Sequence, residues 1–194
     1  MRMAIYEMYL LFIKMEPDKF IENLSSADGQ LLIDIARESI LETENHINIP
    51  EKLENRAGAF VTLTENTLLR GCIGYLKPVM PLEKAVKKAA WNAAYRDPRF
   101  EPMDKNELKD IAIEVTVIGE LKKVKYEDIH LAEPGKFGIY IENGIYSGTL
   151  LPQVAIENHM TMDEFIIETC RKAGLGKDCY KNSTLYAYMA KIFH

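Results

Sequence analysis

Apolar residues change their spacing several times along this chain, and each change marks an element. In GQLLIDIARESILETE, Leu32, Ile35, Ala36 and Ile40 recur at helical intervals. Ser25-Ser26-Ala27-Asp28 precedes them, and this predicts a helix entry. A loop through Pro50 leads to Gly58 and the β-rich run AFVTLT. Leu68 to Leu76 predicts the next strand, with Glu65-Asn66-Thr67 as the turn between the two. Pro78 and Pro81 break that strand. Pro81 suits the first position of a helix over LEKAVKKAAWNAAY, which lines up Leu82, Ala85, Val86, Ala89 and Ala93 and ends before Pro98.

Asp104 and Glu107 have the spacing of a capping box for a short helix. The run IAIEVTVI at 111–118 alternates and is β-branched, so it predicts a strand. GIYIENGIYSG predicts a hairpin turning at Asn143-Gly144, whose second strand stops at Pro152. Thr161 and Glu164 open a further helix that Gly174 closes. TLYAYMAKIF can be helix or strand; as a strand it groups Tyr186, Tyr188, Ala190 and Ile192. Helices and strands interleave around one clear hairpin, so the expected fold is α+β, a mostly antiparallel sheet with flanking helices. MRMAIYEMYLLFIKM has some features of a signal peptide, but Glu7 interrupts it and no small-residue cleavage site follows. It is too short to span a bilayer and is expected to be an amphipathic helix. The expected organisation is an N-terminal helical extension, 1–24, and a single domain, 25–194.

Charge narrows the choice of partner. The net charge is −5, yet residues 68–125 hold twelve Lys or Arg against eight Asp or Glu. A mildly basic middle in an acidic chain suits a small anionic ligand better than a nucleic acid backbone, for which support is weak. Lys84, Lys87 and Lys88 equally fit a solvated helix face. Three cysteines, Cys72, Cys170 and Cys179, cannot all pair within one chain, and no CxxC occurs. Reduced thiols and a cytoplasmic location are the expectation. Cys170 shares an apolar helix face with Phe165, Ile166 and Ala173 and is expected in the core.

The chemistry centres on LRGCIGY, residues 69–75. Alternation puts Arg70, Cys72 and Gly74 on one face and Gly71, Ile73 and Tyr75 on the other. A guanidinium beside a thiol favours the nucleophilic thiolate, and a glycine leaves room for a ligand. Cys72 is therefore the candidate nucleophile, although a free cysteine often only fills space. Arg70 in an apolar strand needs a partner, and Glu114 is the candidate, either as that partner or as an acid/base. Arg70, Gly71, Gly74, Asp97, Arg99, Gln153 and Glu157 make up the candidate ligand-binding set. Asp97 and Arg99 flank Pro98 at a helix end, where a local salt bridge would also account for them. Gln153, Glu157 and His159 fall in or near a loop after the hairpin, and His159 is a candidate base. Nucleotide-loop, HExxH and GxSxG motifs are absent, no His or Cys spacing suggests a metal, and no cofactor is indicated.

The ordered set LRGCIGYLKPVMPL, DPRFEPM, IEVTVIG, GIYSGTLLPQV and ETCRKAGL resembles the AMMECR domain family over roughly residues 28–193. The resemblance implies a cytosolic α+β protein of two lobes with a cleft between them, centred functionally on LRGCIG. The family brings no catalytic residues to carry over. It implies association with radical-SAM-like and dioxygenase-like partner proteins in a modification pathway. Many members carry Trp-Asp where this chain has Met160-Thr161, and Trp where it has Tyr180. The functional expectation is a small anionic or nucleotide-like ligand bound at LRGCIG with Cys72 as nucleophile. The alternative is a non-catalytic regulatory or interaction module that binds a protein or RNA partner.

Overall fold

The computed structural model describes residues 18–43 and 47–194. The amphipathic helix expected over residues 1–15 lies outside them. Residue contacts divide the chain into two compact units, one of Phe20–Gly119 with Lys191–His194 and one that contains Glu120–Ala190. No helix among the described residues is long and apolar enough to cross a membrane.

The first unit opens with α1 (Lys19–Asn23) and α2 (Ser26–Leu41). The helix entry predicted at Ser25–Asp28 is present, and Ser25 caps α2 in a reciprocal box with Asp28. Leu32, Ile35, Ala36 and Ile40 are fully buried. Then come β1 (Gly58–Glu65), β2 (Leu68–Tyr75), α3 (Leu82–Tyr95) and β3 (Ile111–Ile118), with a 3-10 turn at Lys105–Asp110 before β3. Pro81 is the cap of α3 rather than its first residue. The strands form a sheet in the order β2-β1-β3-β8, where β8 is Ala190–Phe193 near the C-terminus. Both β1 pairings are antiparallel. Val61, Leu63, Val115 and Val117 are buried from one face of that sheet in a core that includes Ala85, Val86 and Ala89 of α3.

The second unit carries β4 (Lys122–Val124), α4 (Tyr126–Ile129), β5 (Gly138–Asn143), β6 (Tyr146–Leu150), α5 (Pro152–Glu157), α6 (Met162–Lys172) and β7 (Thr184–Tyr188). Its sheet runs β4-β7-β5-β6, again with antiparallel pairs. The whole is α+β with antiparallel sheets flanked by helices, as expected. The hairpin is where the sequence puts it, but its turn residues are Gly144-Ile145, and of Asn143 and Gly144 only Gly144 has a positive φ, +59°. That is the pattern of a turn with glycine at its first central position. TLYAYMAKIF is strand on both sides of Met189, its two halves serving different sheets.

Cys170 is fully buried, as expected, but it is bonded to Cys179. The expectation of reduced cysteines therefore fails for this pair. The signal was available: α6 ends at Lys172, Gly174 turns the chain at a φ of +75°, and Cys179 follows Cys170 by nine residues, with the two Cα atoms 5.7 Å apart, within bridging range.

Candidate functional site

β2 lies at the end of its sheet, so the LRGCIG segment is an edge strand with one row of backbone groups unpaired by any strand. At Cys72 two side chains cover that row. The Cys72 N–H donates to Asp97 Oδ2 at 2.9 Å, and the Cys72 carbonyl accepts from Arg99 Nη2 at 3.2 Å. A carboxylate and a guanidinium thus stand in for the missing neighbour strand.

Local sequence builds this clamp. Pro98 disfavours helix at the residue before it, and α3 stops at Tyr95. Asp97 then folds over its own turn and accepts from the Arg99 amide at 3.1 Å. The Arg99 side chain returns to the same carboxylate, Nε to Oδ1 at 2.9 Å and Nη2 to Oδ2 at 2.6 Å. Asp97 is only 4% exposed, whereas the Arg99 side chain is about half exposed. The Arg99 hydrogen bonds, helped by the Cys72 and Arg99 amides, outweigh burial and hold the Asp97 carboxyl far below the usual carboxylate range.

The Cys72 side chain is half-buried, and it is the free cysteine among the described residues. Its cross-strand partner on β1 is Thr62, whose hydroxyl donates to Cys72 Sγ at 3.4 Å. Thr62 also pairs across to Glu114 on β3, so Cys72, Thr62 and Glu114 form one row over three strands. At about 4.8 Å per strand, Glu114 is roughly 10 Å from Cys72 along the backbone, with Thr62 between them. The Glu114 carboxylate accepts a hydrogen bond from the buried Thr116 hydroxyl at 3.4 Å.

Arg70 departs from the expected alternation. The register slips from Leu63↔Gly71 to Thr64↔Leu69, which leaves Arg70 as the extra residue of a β-bulge. A bulge re-aims its side chain, and Arg70 turns to the 3-10 turn before β3. There it makes a two-bond pair with Glu107, Nε to Oε2 at 2.9 Å and Nη2 to Oε1 at 3.3 Å, and donates to the Glu101 carbonyl at 3.1 Å. Glu107, rather than Glu114, is therefore the carboxylate paired with Arg70. Its own carboxyl is held below the ordinary range, first by Arg70 and then by the Asp104 amide it caps. Sequence reading found Glu107 only as a cap, because nothing local links it to a residue 37 positions away.

Gly71 and Gly74 each have a neighbour that a side chain would strike. A Cβ on Gly71 would stand 2.1 Å from the Ala93 carbonyl oxygen of α3. At Gly74 it would stand 2.3 Å from the Phe60 ring, so the space expected for a ligand there holds an aromatic side chain. Gln153 and Glu157 belong to the second unit and lie on α5, not on a loop, because Pro152 suits the first helical position. The Gln153 Oε1 atom is enclosed without a hydrogen-bond partner among the described residues. His159 is exposed just after α5, at a φ of +51°.

Residues 33–193 match the sequence model of the AMMECR1 family. A protein of Sulfolobus acidocaldarius is 43% identical over 177 residues, covering 84% of this chain and 78% of the relative. One from Methanothermobacter thermautotrophicus is 40% identical over 184 residues, covering 88% of this chain and 96% of that one. The crystal structure of an uncharacterized protein from Pyrococcus horikoshii superimposes with a TM-score of 0.76 at 37% identity, covering 84% of this chain and 89% of that one.

Proposed function

This chain belongs to the AMMECR1 family, and from that premise we propose that it works through the edge strand β2, binding a small anionic or nucleotide-like ligand with the Cys72 thiol as its reactive group. The observation that supports this most is the clamp on Cys72. A cysteine that only fills space needs no buried carboxylate and paired guanidinium on its backbone, whereas a nucleophile must be held in a fixed position. Here Asp97 fixes the amide, Arg99 the carbonyl, and Thr62 donates a hydrogen bond to the sulfur.

The anion would be met by Arg99. Its Nη1 makes no hydrogen bond among the described residues, and the side chain is about half exposed beside Cys72. Arg70 is largely committed to Glu107 and the Glu101 carbonyl. The chemistry open to the site is attack of the sulfur on an electrophilic carbon. A sulfur–carbon bond forms, the leaving group departs with its bonding pair, and the thiol proton goes to solvent.

A panel of nucleotides, sugar phosphates and carboxylates, screened for protection of Cys72 against iodoacetamide, tests this reading. Saturable protection that weakens in Arg99→Lys supports it; a freely reacting Cys72 that none of them protects contradicts it. The second reading, an interaction module, is favoured by Leu68 and Leu69, both exposed at the start of the same strand. Protection of Cys72 by a protein or RNA alone would select it.

A further inference from the structure

In the second unit, β4 is the outermost strand of its sheet, and beside it opens a pocket of about 510 Å³. That volume lies in the ordinary range for small-molecule sites. Lys123, Lys125 and Lys181 contribute to its lining, against one acidic side chain, Glu127. Lys181 is paired with Asp178 at 3.2 Å. Among the described residues Lys123 and Lys125 have no acidic partner. Two uncommitted ammonium groups therefore face a concave surface, where field is focused more than on an open face. Ser183 adds a hydroxyl: its oxygen accepts from Asn143 Nδ2 at 3.1 Å, which leaves its proton to donate.

The opposite character comes from an aromatic wall. Tyr126 and Tyr180 stack with ring centroids 4.4 Å apart at 23°, and His130 stacks on Tyr126 at 5.0 Å. Both tyrosines are tied to α6. The Tyr126 hydroxyl donates to Asp163 Oδ1 at 2.8 Å, in the first turn of that helix. Tyr180 follows Cys179, which the disulfide fixes to Cys170 near the other end of the helix. The wall is thus set before any ligand arrives, which lowers the ordering cost of binding. Lysines on an edge strand also guard it against pairing with another chain, but that task needs neither hydroxyl nor anchored rings.

We propose that this pocket is a second ligand site, distinct from the Cys72 strand, which takes a phosphate-bearing small molecule of about mononucleotide size, its phosphate towards Lys123 and Lys125 and its planar body against the Tyr126–Tyr180 wall. The site requires no chemistry at Cys72 and stands independently of the reading given for β2.

Amide NMR of the ¹⁵N-labelled full chain, titrated first with inorganic phosphate and then with adenosine monophosphate, tests it. The expected result is saturable shifts confined to 122–127 and 179–185, with adenosine monophosphate binding several-fold more tightly than phosphate. Replacing both exposed lysines, Lys123→Ala with Lys125→Ala, should weaken both probes about tenfold while the rest of the spectrum stays unchanged. Tyr180→Ala should bring adenosine monophosphate down to the affinity of phosphate. Dithiothreitol should weaken the nucleotide more than phosphate, because it releases Tyr180 from α6. Shifts of equal size around Lys84, Lys87 and Lys88 would show surface charge alone and overturn the proposal. So would saturable shifts confined to β2, or no saturable shift at all.

Discussion

Asp97 and Cys72, 25 residues apart, are joined by a 2.9 Å hydrogen bond from the Cys72 backbone amide to the Asp97 carboxylate, and Arg99 closes the circuit on the Cys72 carbonyl. The DPRF segment thereby completes the edge of the LRGCIG strand. The two motifs are one structural unit, and the thiol stands at its centre.

Asp97→Ala should remove an acceptor that serves the Cys72 amide and the Arg99 side chain together. Losing this buried acceptor leaves the Cys72 amide unsatisfied, whereas the half-exposed Arg99 can turn to solvent, so a loss of roughly 1–3 kcal/mol is expected in urea unfolding. Asp97→Asn keeps an acceptor oxygen and should lose less. Faster exchange of the Cys72 amide proton in both variants would locate the effect at the strand edge.

Stability should also depend on pH through Asp97. Its folded carboxyl titrates far below the unfolded value of about 3.9, so its contribution is complete above about pH 4 and is lost as pH falls towards the folded value. Urea midpoints of wild type should fall more steeply below pH 4 than those of Asp97→Asn. Parallel curves would show that the carboxylate contributes nothing to the acid limb.

Two glycines should fail for different reasons. Gly71→Ala drives a methyl group into the backbone of α3 at Ala93, which cannot rotate away, and should cost roughly 2–3 kcal/mol. Gly144→Ala meets open space but must hold a φ of +59°, and should cost about 1 kcal/mol. Thermal unfolding of both variants against wild type measures the difference.

Most of the fold was legible because its signals are local. The helix entry at Ser25–Asp28, the capping boxes at Asp104 and Thr161, the alternation of 111–118 and the apolar face of α3 each need only a few neighbouring residues. The site was legible as a set of residues but not as a set of contacts. Alternation predicted Arg70 beside Cys72, and the bulge defeats it, because an extra residue in β2 shows only once its pairing with β1 is known. Thr62 was missed outright, since a threonine in a β-rich run carries no sign that it will face a thiol. The helix at Pro152–Glu157 is not legible, because its six residues are too few to show a helical period.

The Cys170–Cys179 bond closes a short loop, with a separation of nine residues. Chain entropy for a loop of that size predicts that Cys179→Ser costs about 2–3 kcal/mol under non-reducing conditions. Urea curves of wild type with and without dithiothreitol should differ by a similar amount, whereas the variant should be indifferent to the reductant.

The alkylation rate of Cys72 on the folded protein, followed by peptide mass spectrometry across pH 6 to 9, tests the central claim most directly. If the clamp presents a working thiol, Cys72 reacts in the native state at a rate at least comparable to that of the unfolded chain, and Thr62→Val alters that rate without unfolding the protein. If Cys72 reacts only once the protein is denatured, the clamp serves packing alone, and the proposed reactive role of Cys72 is wrong.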